Sequence, residues 1–377
     1  MKILFVTNTF EDVSNGPSKF ANYLLEMNKM FHDVEIKILT ENVSVGAKNH
    51  ESEHVIRLDL QLNIFTKFWG FVYRMFPYYK ACVRIRRSFA FDIVVFNNAI
   101  TGIWSALTLD IPVLGMINDD NSLCVSKMNF DNSRTWLRHV IFHHLEKLAC
   151  RFESGIIVNS KYLFDLVIKK YGAEDAKLHI LHKGVRINSV PEFGTINSDF
   201  PIRILFVKSD YIRGGLFDLI CALGMLKIYK FDLQIIGPPH SQKEKILEKN
   251  ISSNINIIFV GLQNQLEVQN YMKASHLFVV PSRMEAFGVA NLEALANGLA
   301  VISTNVGGIP EVLDGGNNGW MVDPGNPEIL AQTIQYVIEH PEQRLQKQKN
   351  GFAFVKSHFS QTQVLNNFLN ILNQYKS

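Results

Sequence analysis

Apolar residues recur along the chain in short runs that are separated by longer segments compatible with helices. In the first half the runs cover residues 3–7, 34–39, 93–96, 113–117 and 155–158. The alternation restarts in the second half, at residues 202–207, 233–236, 255–260, 277–280 and 300–303. Strands that alternate with helices are typical of a parallel sheet covered on both faces. The pattern therefore predicts an α/β fold with two doubly wound, Rossmann-like parallel-sheet domains.

The length of 377 residues suits two such domains facing a cleft. We expect an N-terminal domain over residues 1–185 and a C-terminal domain over residues 201–358. Residues 186–200 between them are rich in turn formers and are predicted as the linker. The last segment, residues 359–377, carries an apolar stripe at helical spacing. We expect it to form a helix that returns to the N-terminal domain.

The composition excludes several classes of protein. Hydrophobic residues make up 47% and charged residues 19%, which is typical of a folded protein. A net charge of +3 is too small to indicate a nucleic-acid partner. The four cysteines lie far apart, as in reduced buried thiols. The first apolar run is too short for a signal peptide, and no run reaches 18 residues. We therefore expect a cytoplasmic protein.

Candidate chemistry is concentrated in residues 281–298, directly after an apolar strand. Such a loop lies at the carboxyl end of its strand and offers backbone amides that suit a pyrophosphate. Gly288 would let the backbone approach a ligand, and the Glu293 carboxylate could accept hydrogen bonds from both hydroxyls of a ribose. Glu285 would face the sugar side of the same ligand. Most glutamate pairs at this spacing are solvated charges, so the neighbouring residues decide.

Those neighbours resemble a known family. Glu285 and Glu293, with the residues between them, closely resemble the E-x7-E motif of the retaining glycosyltransferases of family 4 (group 1). The resemblance continues through the strand and glycine turn at residues 299–311 and the strand at 318–324. It implies the GT-B fold. It also implies transfer of a hexose-type sugar, with retention, from a nucleoside-diphosphate sugar, UDP rather than GDP.

The resemblance further implies the partners and the site residues. The acceptor would be a glycan or a lipid-linked oligosaccharide of cell-surface polysaccharide or lipopolysaccharide synthesis, and no metal or other cofactor is expected. The implied donor-binding residues are Gly16, Gly261, Leu262, Ala286, Phe287, Gly288, Val289 and Glu293. The implied catalytic residues are Glu285, Arg213, Lys208 and Asn118.

This chain departs from the family pattern at three positions. Lys208 stands where relatives have a glycine, and Gly214, next to Arg213, stands where they often have a lysine. Asn118 replaces a histidine that contacts the transferred sugar in many relatives. These departures keep open the interpretation of a catalytically impaired sugar-nucleotide-binding protein. A second alternative is a GT-B sugar-nucleotide epimerase or phosphorylase, which shares the architecture but not this combination of loop motifs.

Two other patterns have structural as well as functional interpretations. Residues 65–87 combine basic and aromatic side chains without any acidic residue, which suits either peripheral contact with an anionic membrane or a core helix with a solvated basic face. Asp119 and Asp120, and separately His139 and His143, have the residue types of metal ligands. We favour a structural role for the histidines because no third ligand accompanies them.

Overall fold

The structure is a computed structural model that describes residues 1–10, 16–42, 53–60, 69–124, 133–187, 189–196, 200–247 and 252–376. Internal contacts divide the chain into two units. The first contains Met1–Lys183 and Val364–Ser377, and the second contains Gly184–Gln363. The described part of residues 186–200 thus belongs to the second unit.

The described part of the first unit has a central sheet in the order β3-β2-β1-β4-β5-β6-β7, with every pair parallel. Most strands are followed by a helix, as a parallel sheet requires. The elements are β1 (Lys2–Val6), α1 (Gly16–Met30), β2 (Glu35–Glu41), β3 (Val55–Leu58), α2 (Gly70–Arg86), β4 (Ile93–Phe96), α3 (Ala99–Thr108), β5 (Val113–Ile117), α4 (Ser133–Phe152), β6 (Gly155–Val158), α5 (Lys161–Tyr171) and β7 (Leu178–Ile180).

The second unit repeats this architecture with a sheet in the order β10-β9-β8-β11-β12-β13, again parallel throughout its described strands. Its elements are β8 (Ile202–Val207), α6 (Leu216–Met225), β9 (Phe231–Ile236), α7 (Lys243–Leu247), β10 (Ile255–Gly261), α8 (Gln265–Ala274), β11 (Leu277–Val279), α9 (Val289–Ala296), β12 (Ala300–Thr304), α10 (Ile309–Val312), β13 (Trp320–Val322), α11 (Pro327–Glu339) and α12 (Pro341–His358). The two sheets confirm the predicted α/β fold.

The last helix, α13 (Gln361–Asn373), packs its apolar stripe into the core of the first unit. Leu365 and Phe368 are fully buried there, and the Phe368 ring meets the edge of Phe20 with centroids 5.4 Å apart. Burial of such side chains stabilises the contact by roughly 1.5–3 kcal/mol each. The chain therefore ends in the unit where it began.

Each sheet has one point at which the strand order reverses. In the first sheet it lies between β1 and β4, and in the second between β8 and β11. Connections leave these neighbouring strands in opposite directions, which opens a crevice at their carboxyl ends where ligands bind in open α/β sheets. Lys208 follows β8 and the loop that contains Glu285 follows β11. The topology thus brings two predicted site residues to one crevice.

A buried carboxyl group lies beside the first sheet. Glu153, just after α4, is 1% exposed, and neither of its carboxyl oxygens has a hydrogen-bond partner among the described residues. Burial raises the pKa of this carboxyl well above its usual value. Gly102 and Gly115 make room for it, because a Cβ atom at either position would lie 2.4 or 2.0 Å from its oxygens. The environment therefore favours the neutral acid.

No helix within the described residues is long and apolar enough to cross a bilayer.

Candidate active site

An ion pair lies at the crevice of the second sheet. The Lys208 ammonium donates to Glu285 Oε2 at 2.6 Å and to the carbonyl oxygen of Met284 at 3.2 Å. The side chains of Lys208 and Glu285 are 18% and 25% exposed, so the pair is shielded but open to a ligand. Partial shielding strengthens the electrostatic interaction relative to a surface pair. Lys208, which stands where a glycine was expected, therefore pairs with the predicted catalytic carboxylate.

The backbone of the loop also contacts the Glu285 carboxylate. Glu285 Oε1 accepts a hydrogen bond from the Ala286 N–H at 3.1 Å. Gly307 lies directly against the loop: a Cβ atom added there would stand 1.5 Å from the Glu285 carbonyl oxygen, and the φ of Gly307 is +58°. Both features require glycine at this position. The glycine turn of residues 307–308 thus sets the position of the carboxylate loop.

The loop ends at the first turn of a helix, and no side chain caps that turn. Gly288 adopts φ +101° as the N-cap of α9, which begins at Val289. The free N–H groups of a first helical turn favour an anion there. Phe287 anchors the loop: it is 2% exposed and packs edge-on against Phe359 with centroids 5.8 Å apart. The predicted residues Ala286, Phe287, Gly288 and Val289 therefore form one continuous strand-to-helix turn.

Glu293 lies on α9 and is half-buried. Its Oε1 atom accepts a hydrogen bond from the Gln265 side chain at 3.1 Å. A carboxylate can accept several hydrogen bonds, and the vicinal hydroxyls of a ribose could donate to it. Gln265, at the start of α8, is a neighbour that the sequence analysis did not identify.

Arg213 is attached to the same loop through the backbone. Its carbonyl oxygen accepts a hydrogen bond from the Arg283 N–H at 2.7 Å, and its guanidinium Nε lies 3.4 Å from Asp210 Oδ2. Arg283 in turn forms two hydrogen bonds to Asp218, at 3.0 and 2.8 Å. The sequence analysis missed Arg283, although its position two residues before Glu285 could have indicated a role in the loop.

Gly261 and Leu262 lie further along the sheet edge, at the end of β10. The Gly237 N–H donates to the Gly261 carbonyl oxygen at 2.9 Å, and the Gly237 Cα packs against the Lys208 backbone. Leu262 is 64% exposed. The turn at Gly237 thus lies between these two predicted residues and Lys208.

In the first unit, Asn118 belongs to a group of polar side chains that follow β1, β4, β5, β6 and β7. Its amide nitrogen donates to the Asn97 carbonyl oxygen at 2.8 Å, and Asn159 donates to the Asn118 carbonyl oxygen at 2.8 Å. Asn97 also donates to Thr7 Oγ1 at 3.2 Å. The Lys183 ammonium donates to Asn118 Oδ1. We call these five residues the amide cluster; the sequence analysis identified only Asn118 among them. Gly16 begins α1 in the same unit.

A cavity of about 310 Å³ opens beside the amide cluster, between α2, α4 and the loops after β1, β4 and β5. Glu146 lines it and accepts a hydrogen bond from the Tyr171 hydroxyl at 2.6 Å. Burial, and secondarily the charge of Asp119, raises the pKa of Glu146 to about 8. His143 hydrogen-bonds to the Ser122 carbonyl oxygen, a structural contact. Within the described residues, no three histidine, cysteine or acidic side chains come together as metal ligands.

The basic and aromatic stretch of residues 65–87 divides between core and surface. Residues 65–68 lie outside the described residues. Arg74 and Tyr78 are buried and both hydrogen-bond to Glu41, which provides the acidic partner that the stretch itself lacks. Phe76 instead is 49% exposed and lies beside Trp104, which is 45% exposed. One side of α2 is therefore core, and the other presents aromatic rings to the surface.

Comparison with known families assigns both units. Residues 21–189 match the family described as Glycosyltransferase Family 4, and residues 193–354 match the family described as Glycosyl transferases group 1. The chain belongs to the group 1 glycosyltransferases of family 4. The family predicted from the Glu285 and Glu293 motif is confirmed.

An uncharacterized glycosyltransferase of Methanocaldococcus jannaschii is 31% identical to this chain over 214 residues. The match covers 56% of this chain and 57% of the relative. The amylovoran biosynthesis glycosyltransferase AmsK of Erwinia amylovora is 32% identical over 145 residues, 36% of this chain and 35% of its own. The chain thus spans a little more than half of the length of the first of these relatives and about a third of the second.

A solved structure supports the fold over the full length of both chains. The Anabaena protein HepE in complex with UDP and glucose superposes with a TM-score of 0.70 at 20% identity, covering 99% of each chain. At this identity the similarity concerns architecture alone. It confirms the GT-B fold that the family resemblance implies.

Proposed function

We propose that this protein is a retaining glycosyltransferase that moves a hexose-type sugar from a UDP-sugar to an acceptor hydroxyl. The Lys208–Glu285 pair at the carboxyl edge of the second sheet carries the proposal. It places a carboxylate and a cation directly before the amides of α9, where the parts of a sugar diphosphate would need them. The family assignment and the UDP and glucose bound by HepE support this choice of donor.

Each residue has a distinct task in the proposed mechanism. The amides at the start of α9, from Gly288 onward, bind the diphosphate, and Glu293 accepts hydrogen bonds from the ribose hydroxyls. Glu285 already accepts two hydrogen bonds, from Lys208 and Ala286, which orient it and leave acceptor capacity for sugar hydroxyls. Lys208 and Arg213 stabilise the negative charge that develops on the departing diphosphate. Because these two cations can supply the countercharge, we propose that no metal is needed.

Bond making and bond breaking occur on one face of the sugar. The acceptor oxygen forms a bond to the anomeric carbon as the bond to the diphosphate oxygen breaks, and the leaving phosphate takes the acceptor proton. Because the acceptor attacks from the face that the diphosphate leaves, the configuration is retained without a protein nucleophile. The contribution of the protein is to position the reactants and to stabilise charge.

The acceptor is proposed to be a glycan or a lipid-linked oligosaccharide of cell-surface polysaccharide synthesis. The similarity to the amylovoran biosynthesis protein supports this class of acceptor. We further propose a cytoplasmic location at the inner face of the membrane, where such acceptors would be reached.

A donor panel tests the reaction. We expect turnover with a UDP-hexose to exceed turnover with the matching GDP-hexose by at least about tenfold, because guanine is larger than uracil and presents different hydrogen-bonding groups. The NMR spectrum of the product should show the anomeric configuration of the donor. UDP binding without any turnover would instead support an impaired binding protein. Consumption of inorganic phosphate, or nucleotide release without a glycosylated product, would support a phosphorylase or an epimerase.

Membrane contact is proposed for the exposed face of α2 and α3. Phe76, Trp104 and the Lys80 ammonium, which lies 4.5 Å from the Phe76 ring centre, combine aromatic rings with a cation. We expect replacement of Phe76 and Trp104 by serine to weaken binding to anionic vesicles by about tenfold in a flotation assay. The control replaces Ile228 and Leu345, exposed in the second unit, by serine. Equal vesicle binding by both double variants would contradict the assignment of this face.

A further inference from the structure

A lysine in the first unit lacks an anionic partner. The Lys183 ammonium hydrogen-bonds to Asn118 Oδ1 and lies 5.7 Å from the centre of the Phe20 ring. Among the described residues it forms no ion pair, and its one hydrogen-bond partner is the neutral Asn118 amide. Lys183 is only partly exposed. The side chain is therefore shielded from water without receiving a countercharge from the protein.

Such an arrangement is costly for the fold. Desolvation disfavours the charged form of an amine, and it lowers the pKa of Lys183 to about 8. The ammonium is still the main form at pH 7. A hydrophobic side chain would fill the same space without this penalty, so a shielded lysine without a carboxylate indicates a functional role.

The surroundings of Lys183 have the properties of a ligand site. Asn118, its partner, follows β5, which pairs with β4, one of the two strands between which the order of the first sheet reverses. Asn159, which is 4% exposed and donates to the Asn118 carbonyl oxygen, has an Oδ1 atom without a hydrogen-bond partner among the described residues. The amide cluster therefore combines an uncompensated cation, which attracts an anion, with an unused acceptor that a hydroxyl group of the same ligand could donate to, at an edge where α/β sheets bind ligands.

We propose that Lys183, oriented by Asn118, binds an anionic oxygen group of the sugar substrate at the carboxyl edge of the first sheet. This inference rests on the proposed function and adds a specificity residue to it. The anionic group is either a phosphate or a carboxylate carried by that substrate. In both cases the ammonium forms a charge-assisted hydrogen bond to the group, and the Asn118 amide fixes the direction of the lysine side chain.

The test compares Lys183→Met with Lys183→Arg in the full-length protein. Methionine keeps the length of the side chain and removes the charge, whereas arginine keeps the charge. Lys177→Met is the matched control, because Lys177 lies at the opposite end of β7 and is paired with Glu174 at 3.7 Å. Calorimetric affinities are measured for UDP, UDP-glucose, UDP-glucuronate, inorganic phosphate and free glucuronate.

We expect Lys183→Met to weaken binding of the recognised anion by at least about tenfold, with partial recovery in Lys183→Arg and no change in Lys177→Met. A loss for UDP and phosphate identifies the phosphate as the bound group. A loss confined to UDP-glucuronate and glucuronate identifies the sugar carboxylate.

Other outcomes separate this proposal from the proposed function. Unchanged affinity of Lys183→Met for all five probes, while UDP still binds, overturns the role of Lys183 and leaves the donor assignment intact. If no nucleotide binds the unmodified protein, the proposed function fails. The affinities for phosphate and free glucuronate then show by themselves whether Lys183 binds an anion. Absence of binding for those two as well refutes the site.

Discussion

Replacing Lys208 by methionine is expected to lower kcat for sugar transfer by about 10²–10³-fold. The ammonium contacts the Glu285 carboxylate and the Met284 carbonyl oxygen, so methionine removes both the orientation of the carboxylate and the cation nearest to it. Steady-state kinetics with the preferred UDP-sugar measure the effect. A circular dichroism melt checks that the variant is folded.

A double-mutant cycle shows whether the two residues act together. Glu285→Gln alone should lower kcat by a similar factor, and the double variant should be no worse than the poorer single variant, because residues that act as a unit are not additive. Lys230→Met, an exposed lysine of the same unit, is the control for loss of charge. Full kcat in Lys208→Met would show that this lysine has no part in the transfer, and strictly additive losses would show that the pair is not a functional unit.

Replacing Gly307 by alanine is expected to lower the free energy of unfolding by about 3–4 kcal/mol and to reduce turnover together with it. The new methyl group would stand 1.5 Å from the Glu285 carbonyl oxygen, so the loop must move away from the turn. Alanine must in addition adopt a φ near +58°. Chemical denaturation measures the free energy of unfolding. Steady-state kinetics on the folded fraction measure how far displacement of the Glu285 carboxylate lowers turnover.

Gly315→Ala separates the two causes. Gly315 has a φ of +61°, but a Cβ atom there would have no neighbour within 4 Å. Its replacement should cost about 1 kcal/mol, the strain of the left-handed conformation alone, and leave kcat unchanged. If both variants lose equal stability, close approach to Glu285 is not what requires glycine at position 307.

The strands that the sequence analysis missed show where a pattern of apolar runs fails. β3 and β7 lie at the two edges of the first sheet, and each interrupts its apolar residues with a polar one, Arg57 or His179. These two edge strands are short and only partly buried, so they lack the continuous apolar run of a central strand. The central strands were predicted because both of their faces are buried.

The catalytic loop was predicted from the sequence because its chemistry is local. Glu285, Gly288 and Glu293 lie within one strand-to-helix turn, and their spacing along the chain alone determines that they share one loop and one helix. The pairing of Lys208 with Glu285 was not predictable, because the two residues lie 77 positions apart. They meet because β8 and β11 are neighbours, and that order is a property of the whole sheet.

The same distinction holds in the first unit. The sequence by itself determined the alternation of strands and helices, the two sheets, the family and the position of Asn118 at the end of a strand. Only the tertiary structure decided that Lys183, 65 residues further on, would contact Asn118, and that Glu41 would neutralise Arg74. Periodicity along the chain reports which residues are buried, whereas the charge next to a buried group depends on which strands pack side by side.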